Sequence, residues 1–493
     1  MGIRAKPAVP SRLASRRRRQ TAHTIRGVLI VACAGQLAAC AHFNPRPISA
    51  TASIARFEAR SLAAPGLRAF LTANHVSAPA PGGAWSLEEL TLTAVYYQPA
   101  LAAAREKLLA AQAARITAGE RPNPSLSVAP GYDTGVPGAI HPWIVPLTFD
   151  WPIETAGRRG YRLAQARHLA AAARWDLVGD LWQVRSRVRA ALLALYAAHR
   201  SESLLGREES TRRKVVRLLE RQLQAGSVSS YEVAQARIAL DRVILARQAA
   251  AGELRQSRIA LAGALGVPVR ALHGARLPLA QLQAFPLALT RLQVRERALL
   301  ERADVRAALE RYAASQSALQ LQIARQWPDI HLGPGFAWNA QLAGDKQWRI
   351  GLSLPLPLLN HNQGPIAQAR AQRALAAARF LTVQTSALTQ IDSALAAYES
   401  ARAQLETAEA LLHGLQRQVL SIHAQVTAGE LQPLELANAQ LAYEAGARDR
   451  LDALVGAQRA LGRLEDAVES PLTLSPAAVN SVLRTTGTKA VTR

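Results

Sequence analysis

The residues able to do chemistry are few and scattered. The chain has two cysteines, Cys33 and Cys40, and eleven histidines. His331, His361, His413 and His423 stand alone, without the spacing of a metal cage. No Ser-His-Asp set, phosphate loop or close carboxylate pair appears. Glu154 lies beside Arg158 and Arg159, where a structural ion pair explains it better than an enzyme's carboxylate site. Glu232 and Gln235 stand three apart, as do Glu435 and Asn438, a spacing that puts each pair on one helix face. Acids at a helix start also favour its dipole. The chemistry left to consider is covalent modification of a cysteine and the handling of charge along a surface.

Cys40 is placed for modification. Residues 1–39 carry Arg4, Lys6, Arg12, Arg16, Arg17, Arg18, Arg19 and Arg26, and no acid. A short apolar stretch follows, then Leu37-Ala38-Ala39-Cys40. A basic start, a short apolar core and small residues before a cut describe a secretory signal. The stretch is too short to span a bilayer as a helix. The last four residues resemble a bacterial lipobox, which implies a lipid on Cys40 and removal of Cys33. Ala41, where an inner-membrane lipoprotein would carry Asp, resembles the outer-membrane sorting class. An ordinary signal peptide that happens to contain a cysteine is the plainer reading.

Charge and composition narrow the rest. The net charge of +24 falls to +16 once the signal leaves, and the remainder is spread along the chain. No single helix gathers it with interleaved aromatics, so nucleic acid is not an expected partner. One hundred of the 493 residues are Ala and only 24 are aromatic, which suits long, closely packed helices.

The two halves repeat at a shift of about 204 residues. Ala164-Gln165-Ala166-Arg167 returns as Ala367-Gln368-Ala369-Arg370, and Ala225-Gly226 as Ala428-Gly429. The reading divides the chain into a signal (1–39), a lipidated, irregular lead-in (40–85), a first repeat (86–268), a linker (269–288), a second repeat (289–470) and a disordered tail (471–493). Strands are expected at about 125–133 and 143–152, then at about 330–339 and 347–357. In each, apolar residues alternate with small or polar ones, the mark of a strand with two unlike faces. Trp143, Leu147, Trp151, Phe336, Trp348 and Ile350 share the apolar set, while Asp150, His331 and Arg349 fall on the other. About nine or ten residues is the length a tilted strand needs to cross a bilayer. The polar set then faces a wet lumen. Four strands cannot close a barrel, and an open edge in lipid leaves backbone groups unpaired. Other copies must supply the missing strands, three copies giving twelve and two giving eight.

A proline-free stretch of about 69 residues from Ala156 to Gln224, repeated from about Pro365 to Thr427, predicts helices roughly 100 Å long. Gly226 and Gly429 end them as left-handed C-caps. Either a solvent-exposed coiled coil or a wall of helices leaving the membrane fits these lengths.

The order of motifs resembles the TolC family of outer-membrane efflux channels over about residues 86–470. It rests on Pro99-Ala100-Leu101, Pro122-Asn123-Pro124, Trp151-Pro152-Ile153-Glu154 with Gly157-Arg158-Arg159, Pro357-Leu358-Leu359-Asn360 with Gly364-Pro365, and both Ala-Gly turns. The exit motif looks most like CzcC-type members. The resemblance implies a mainly α, tandem-repeat protomer of a homotrimer with a 12-stranded β-barrel joined to a long periplasmic α-helical barrel. It implies a passive exit duct, with an inner-membrane pump of RND type and a periplasmic adaptor (membrane fusion protein) as partners, and outer-membrane lipid around it. It implies no catalysis and no cofactor beyond the lipid on Cys40. It places a periplasmic gate at Glu435, Asn438, Glu232 and Gln235, and adaptor or pump docking at Gly226 and Gly429. Asn438 stands where some members carry an acid, so its ring would hold cations through dipoles alone. Metal cations or drugs are the expected cargo. A periplasmic helical adaptor or scaffold without a pore is the other reading.

Overall fold

The computed structural model describes residues 43–80, 83–135, 142–283, 285, 301–339 and 345–469. The signal, Cys40 and the tail at 471–493 lie outside these. Chain contacts divide the protein into Met1–Phe57 and Glu58–Arg493. The first unit contributes nearly all of helix α1 (Ala50–Glu58), and the elements after it belong to the second.

The second unit opens with α2 (Pro65–Ala73) and α3 (Leu87–Tyr97). Residues expected to be irregular are thus helical in part. The Ser49 hydroxyl accepts from the Ala52 amide at 3.3 Å and starts α1. Pro65 occupies the first turn of α2, where its missing N–H costs nothing. Ser86 and Glu89 form a reciprocal capping box on α3. Helix α4 (Pro99–Gly119) then runs to the sheet.

The sheet is four strands wide. Its first edge is broken into β1 (Ser125–Val128) and β2 (Gly131–Tyr132), both antiparallel to β3 (Trp143–Ile153). Pro130, between them, has no N–H to give the ladder. Next come β4 (Ile330–Asn339) and β5 (Asp345–Ser353), in the order β1-β3-β4-β5. The last strand was expected to run to about 357 but ends at Ser353, because Pro355 and Pro357 cannot donate to a ladder.

Each strand continues into a helix or receives one. β3 leads to α5 (Arg158–Gln224), which turns back as α6 (Ser230–Leu265). Two short 3₁₀ turns, Val269–Leu272 and Leu279–Gln283, occupy the expected linker. Helix α7 (Ala303–Ala324) leads to β4, and β5 leads to α8 (Gln363–Thr427), which returns as α9 (Pro433–Val468). At about 1.5 Å per residue, the 67 and 65 residues of α5 and α8 make rods close to 100 Å long. Helices α7 and α9 each pack against both α5 and α8, while α4 and α6 pack against α5. The lateral order α4-α5-α7-α8 therefore follows the strand order β1-β3-β4-β5.

The main core lies midway along the rods, not at the sheet. Leu67, Leu71, Leu90, Leu101, Leu192 and Leu265 are fully buried there. Each such side chain contributes about 1.5–3 kcal/mol by leaving water, which holds α2 and α3 to the hairpin of α5 and α6.

Candidate functional site

Two places carry the functional geometry, the sheet and the helix tips. In the sheet, register decides which side chains share a face. Leu126 pairs with Phe149, Tyr132 with Trp143, Leu147 with Phe336, Trp151 with Leu332, Phe336 with Trp348, and Leu332 with Leu352. The apolar sets of all strands thus merge into one continuous face across both repeats. It is open to the surroundings: Trp348 is 82% exposed and Ile350 84%. An apolar patch of this extent, free of any packing layer, is what a lipid-facing surface requires. Among the described residues no helix is long and apolar enough to cross a membrane.

The opposite face is small and polar. Gly333 pairs with Gly351, Gly335 with Arg349, and Ser127 with Thr148. Asp150, His331 and Arg349 all belong to it. His331 Nδ1 lies 3.1 Å from Asp150 Oδ2, joining β3 to β4 near the helical end. Arg349 sits farther along and donates to Gln347 at 2.8 Å, so the structure brings together the first two residues and not the third.

Between sheet and helices the chain is stapled by arginines. Arg162 holds both Glu154 carboxylate oxygens and donates to the carbonyls of Ala118 and Glu120 at the end of α4. Those carbonyls would otherwise be orphaned at a helix terminus. Arg158 binds Asp329 at 2.7 Å across the two repeats. Glu154 therefore has a structural role.

The tips at the far end are near-copies. The Ser227 amide donates to Gln222 O at 2.9 Å and the Gly226 amide to Leu223 O at 2.9 Å. Glu430 and Gly429 do the same to Gln425 and Val426 at 2.9 and 3.1 Å. This is the Schellman pattern, with φ of +70° at Gly226 and +81° at Gly429. The caps that follow differ. The Ser229 hydroxyl accepts from the Glu232 amide at 3.3 Å, whereas Pro433 opens α9 without a side-chain cap. Glu232, Gln235, Glu435 and Asn438 are all exposed in the single chain.

Spacing alone did not reveal a polar belt between α5 and α9. Glu444 accepts from the Thr211 hydroxyl at 2.8 Å, and Arg448 lies 3.1 Å from Glu208. Burial pushes the Glu444 carboxyl above its ordinary range; the Thr211 hydrogen bond opposes this, the charge of Glu208 adds to it, and Arg207 and Arg212 pull it back. Burial likewise raises Glu469, whose carboxylate caps α7 through the Ala303 amide at 2.6 Å. These partners are 166 or more residues apart in sequence, so no local pattern announces them.

The family described as "Outer membrane efflux protein" matches residues 94–267 and 294–468, one stretch per repeat. The chain belongs to that family. It is an outer-membrane efflux channel and not an enzyme. No curated protein matches it significantly in sequence. Among solved structures it is similar in fold to VceC from Vibrio cholerae, at 19% identity over 78% of this chain and 96% of that one, TM-score 0.64. It is similar to CmeC from Campylobacter jejuni, at 17% identity over 81% and 89%, TM-score 0.64. It is also similar to CusC, described with its transmembrane channel formation, at 19% identity over 78% and 91%, TM-score 0.62.

Proposed function

We propose that three copies of the chain close into one duct, a 12-stranded barrel in the outer membrane continued by a helical tube in the periplasm. The observation that carries this is the pair of open edges. The first repeat presents β1 with α4 and α6, and the second presents β5 with α8, in the same lateral sense. Copies joined β5 to β1 also join α8 to α6. Helix α6 offers an uncovered stripe at heptad spacing, Tyr231, Ile238, Leu245 and Ile259, with Tyr231 69% exposed and Leu245 65%. Leu411 and Leu420 are exposed on α8. Such stripes are what coiled-coil partners cover.

In this assembly Asp150, His331 and Arg349 line the barrel, and Glu435 and Asn438, with Glu232 and Gln235, ring the periplasmic mouth as a gate. Gly226 and Gly429 form tips that dock an adaptor and an RND-type pump, whose cargo of metal cations or drugs passes without chemical change. Cys40 carries the lipid. Glu58 bridges Arg270 at 3.3 Å, and Arg60 bonds the Gly266 and Tyr97 carbonyls at 2.6 and 3.0 Å, at the end of α4 remote from the sheet. That end is about 31 Å from the membrane by helix rise.

Purified full-length protein should run as a heat-dissociable trimer and give single-channel conductance in planar bilayers. A monomer without conductance would favour the poreless adaptor. Asn438→Asp should lower the divalent-cation concentration that halves conductance by roughly tenfold, because charge joins the dipoles of the ring. Labelled palmitate should be incorporated into the wild-type chain and absent from Cys40→Ser.

A further inference from the structure

A cavity of about 390 Å³ opens where β3 passes into α5, lined by Arg121, Trp151, Pro152, Ile153, Glu154 and Arg159 among others. Its chemistry is divided. Trp151 and Ile153 belong to the apolar face of the sheet, through their pairs with Leu332 and Ile330, and both are exposed. Arg121 and Arg159 come from the segments just before β1 and just after β3. The acid between them is already spent, since Arg162 engages both oxygens of Glu154. Arg158, next along, is paired with Asp329. Arg159 uses its Nε to hold Gly119 O at 2.6 Å, which fixes the guanidinium and leaves its terminal nitrogens to others. Neither Arg121 nor Arg159 is in an ion pair among the described residues.

Two guanidiniums without acids, an indole and aliphatic surface meet where the apolar face stops and the helices begin. A phosphate oxyanion suits the guanidiniums, which present several N–H groups in a fixed fork. The indole and Ile153 suit the apolar part of the same ligand, at the depth where aromatic side chains meet headgroups. Two of its lining residues, Trp151 and Ile153, lie on the apolar face, which the proposed trimer turns to lipid.

We propose that this cavity binds the phosphate of an anionic glycerophospholipid from the periplasmic leaflet, with Arg121 and Arg159 on the phosphate and Trp151 against the glycerol and first acyl carbons. The proposal rests on the reading of the apolar face as lipid-facing. A bound headgroup here would set the depth of the barrel, because it grips the joint between strand and helix.

Native mass spectrometry of the full-length protein in detergent tests it, with phosphatidylglycerol and phosphatidylcholine titrated separately. The wild type should retain phosphatidylglycerol preferentially, and the preference should weaken as salt rises. Arg121→Gln breaks no bond among the described residues and should weaken phosphatidylglycerol retention several-fold. Arg121→Gln with Arg159→Gln should weaken it roughly tenfold or more, leaving phosphatidylcholine unchanged. Arg159→Lys should restore part of the loss and guards against a folding defect at Gly119. Unchanged phosphatidylglycerol retention in the double variant, or equal loss of both lipids, overturns the site. Equal competition by sn-glycerol 3-phosphate at matched concentration would show a site for free phosphate esters, and would overturn the lipid assignment. Conductance should be the same in all variants. A wild type without conductance strikes the channel reading, whereas selective lipid loss with conductance intact concerns this cavity alone.

Discussion

Helix α9 meets its two long neighbours through opposite chemistry. On the α5 side Glu465, 0% exposed, takes Arg185 at 3.1 Å and Arg189 at 3.5 Å. Arg189 also donates to the carbonyl and side chain of Gln458 at 2.9 and 3.1 Å. Trp182 donates to Asp466 at 3.0 Å. On the α8 side Ile391, Leu395 and Tyr398 pack against Leu461, Leu464 and Val468. Buried hydrogen-bonded charges tolerate a single alignment, since a slip of one helical turn, about 5.4 Å, would leave each without its partner. An apolar seam keeps most of its contacts in neighbouring alignments. The α5–α9 register is thus fixed by polar groups, and that of α8 against α9 by side-chain shape.

The largest effect should come from breaking the ionic side. Glu465→Ala leaves two buried guanidiniums without their carboxylate and should cost about 3–5 kcal/mol, read as a lower guanidinium midpoint. Replacing Arg185 and Arg189 by Met and Glu465 by Leu together should recover most of that loss. A Glu465→Ala protein as stable as the wild type would erase the contrast. On the apolar side Ile391→Ala should cost about 2–4 kcal/mol through lost burial and a cavity, and the loss should be insensitive to pH and salt.

The smallest effect concerns the belt nearer the tips. Glu444 binds its proton more tightly in the folded chain than in the unfolded one. Stability from it is complete below the unfolded value and falls as pH rises through the folded one. Glu444→Gln should therefore melt higher than the wild type at pH 8, with the gap closing towards pH 5. An equal gap at both pH values would show that the carboxyl does not titrate there.

Much of the architecture was legible before any coordinates. Alternation in four segments separates the two faces because a strand has a period of two, and the register then confirms that Trp151, Phe336 and Trp348 share a side. The glycine of each tip was legible because no other residue adopts its φ cheaply. The ends of strands were less so. Pro130 and Pro355 fall within alternating sequence, and alternation reports side chains while pairing depends on the backbone. The Glu465 cluster was invisible because its partners are 280 residues apart. The Arg158–Asp329 staple links residues 171 apart. Arg158 and Arg159 form a motif after the second strand, but only the fold shows that one is paired with Asp329 and the other is not.

The paired glycines of the sheet have one more consequence. A Cβ on Gly333 would come within 3.3 Å of the Phe149 carbonyl oxygen, and one on Gly351 within 3.3 Å of Gly333 O. Bare backbone on one face and indoles on the other give the sheet unequal thickness, so it bends more readily towards the bare side. In the proposed trimer, curling in that direction carries β1 and β5 towards neighbouring copies rather than away from them. It also leaves the concave surface smooth there, with amides and carbonyls already committed to the ladder.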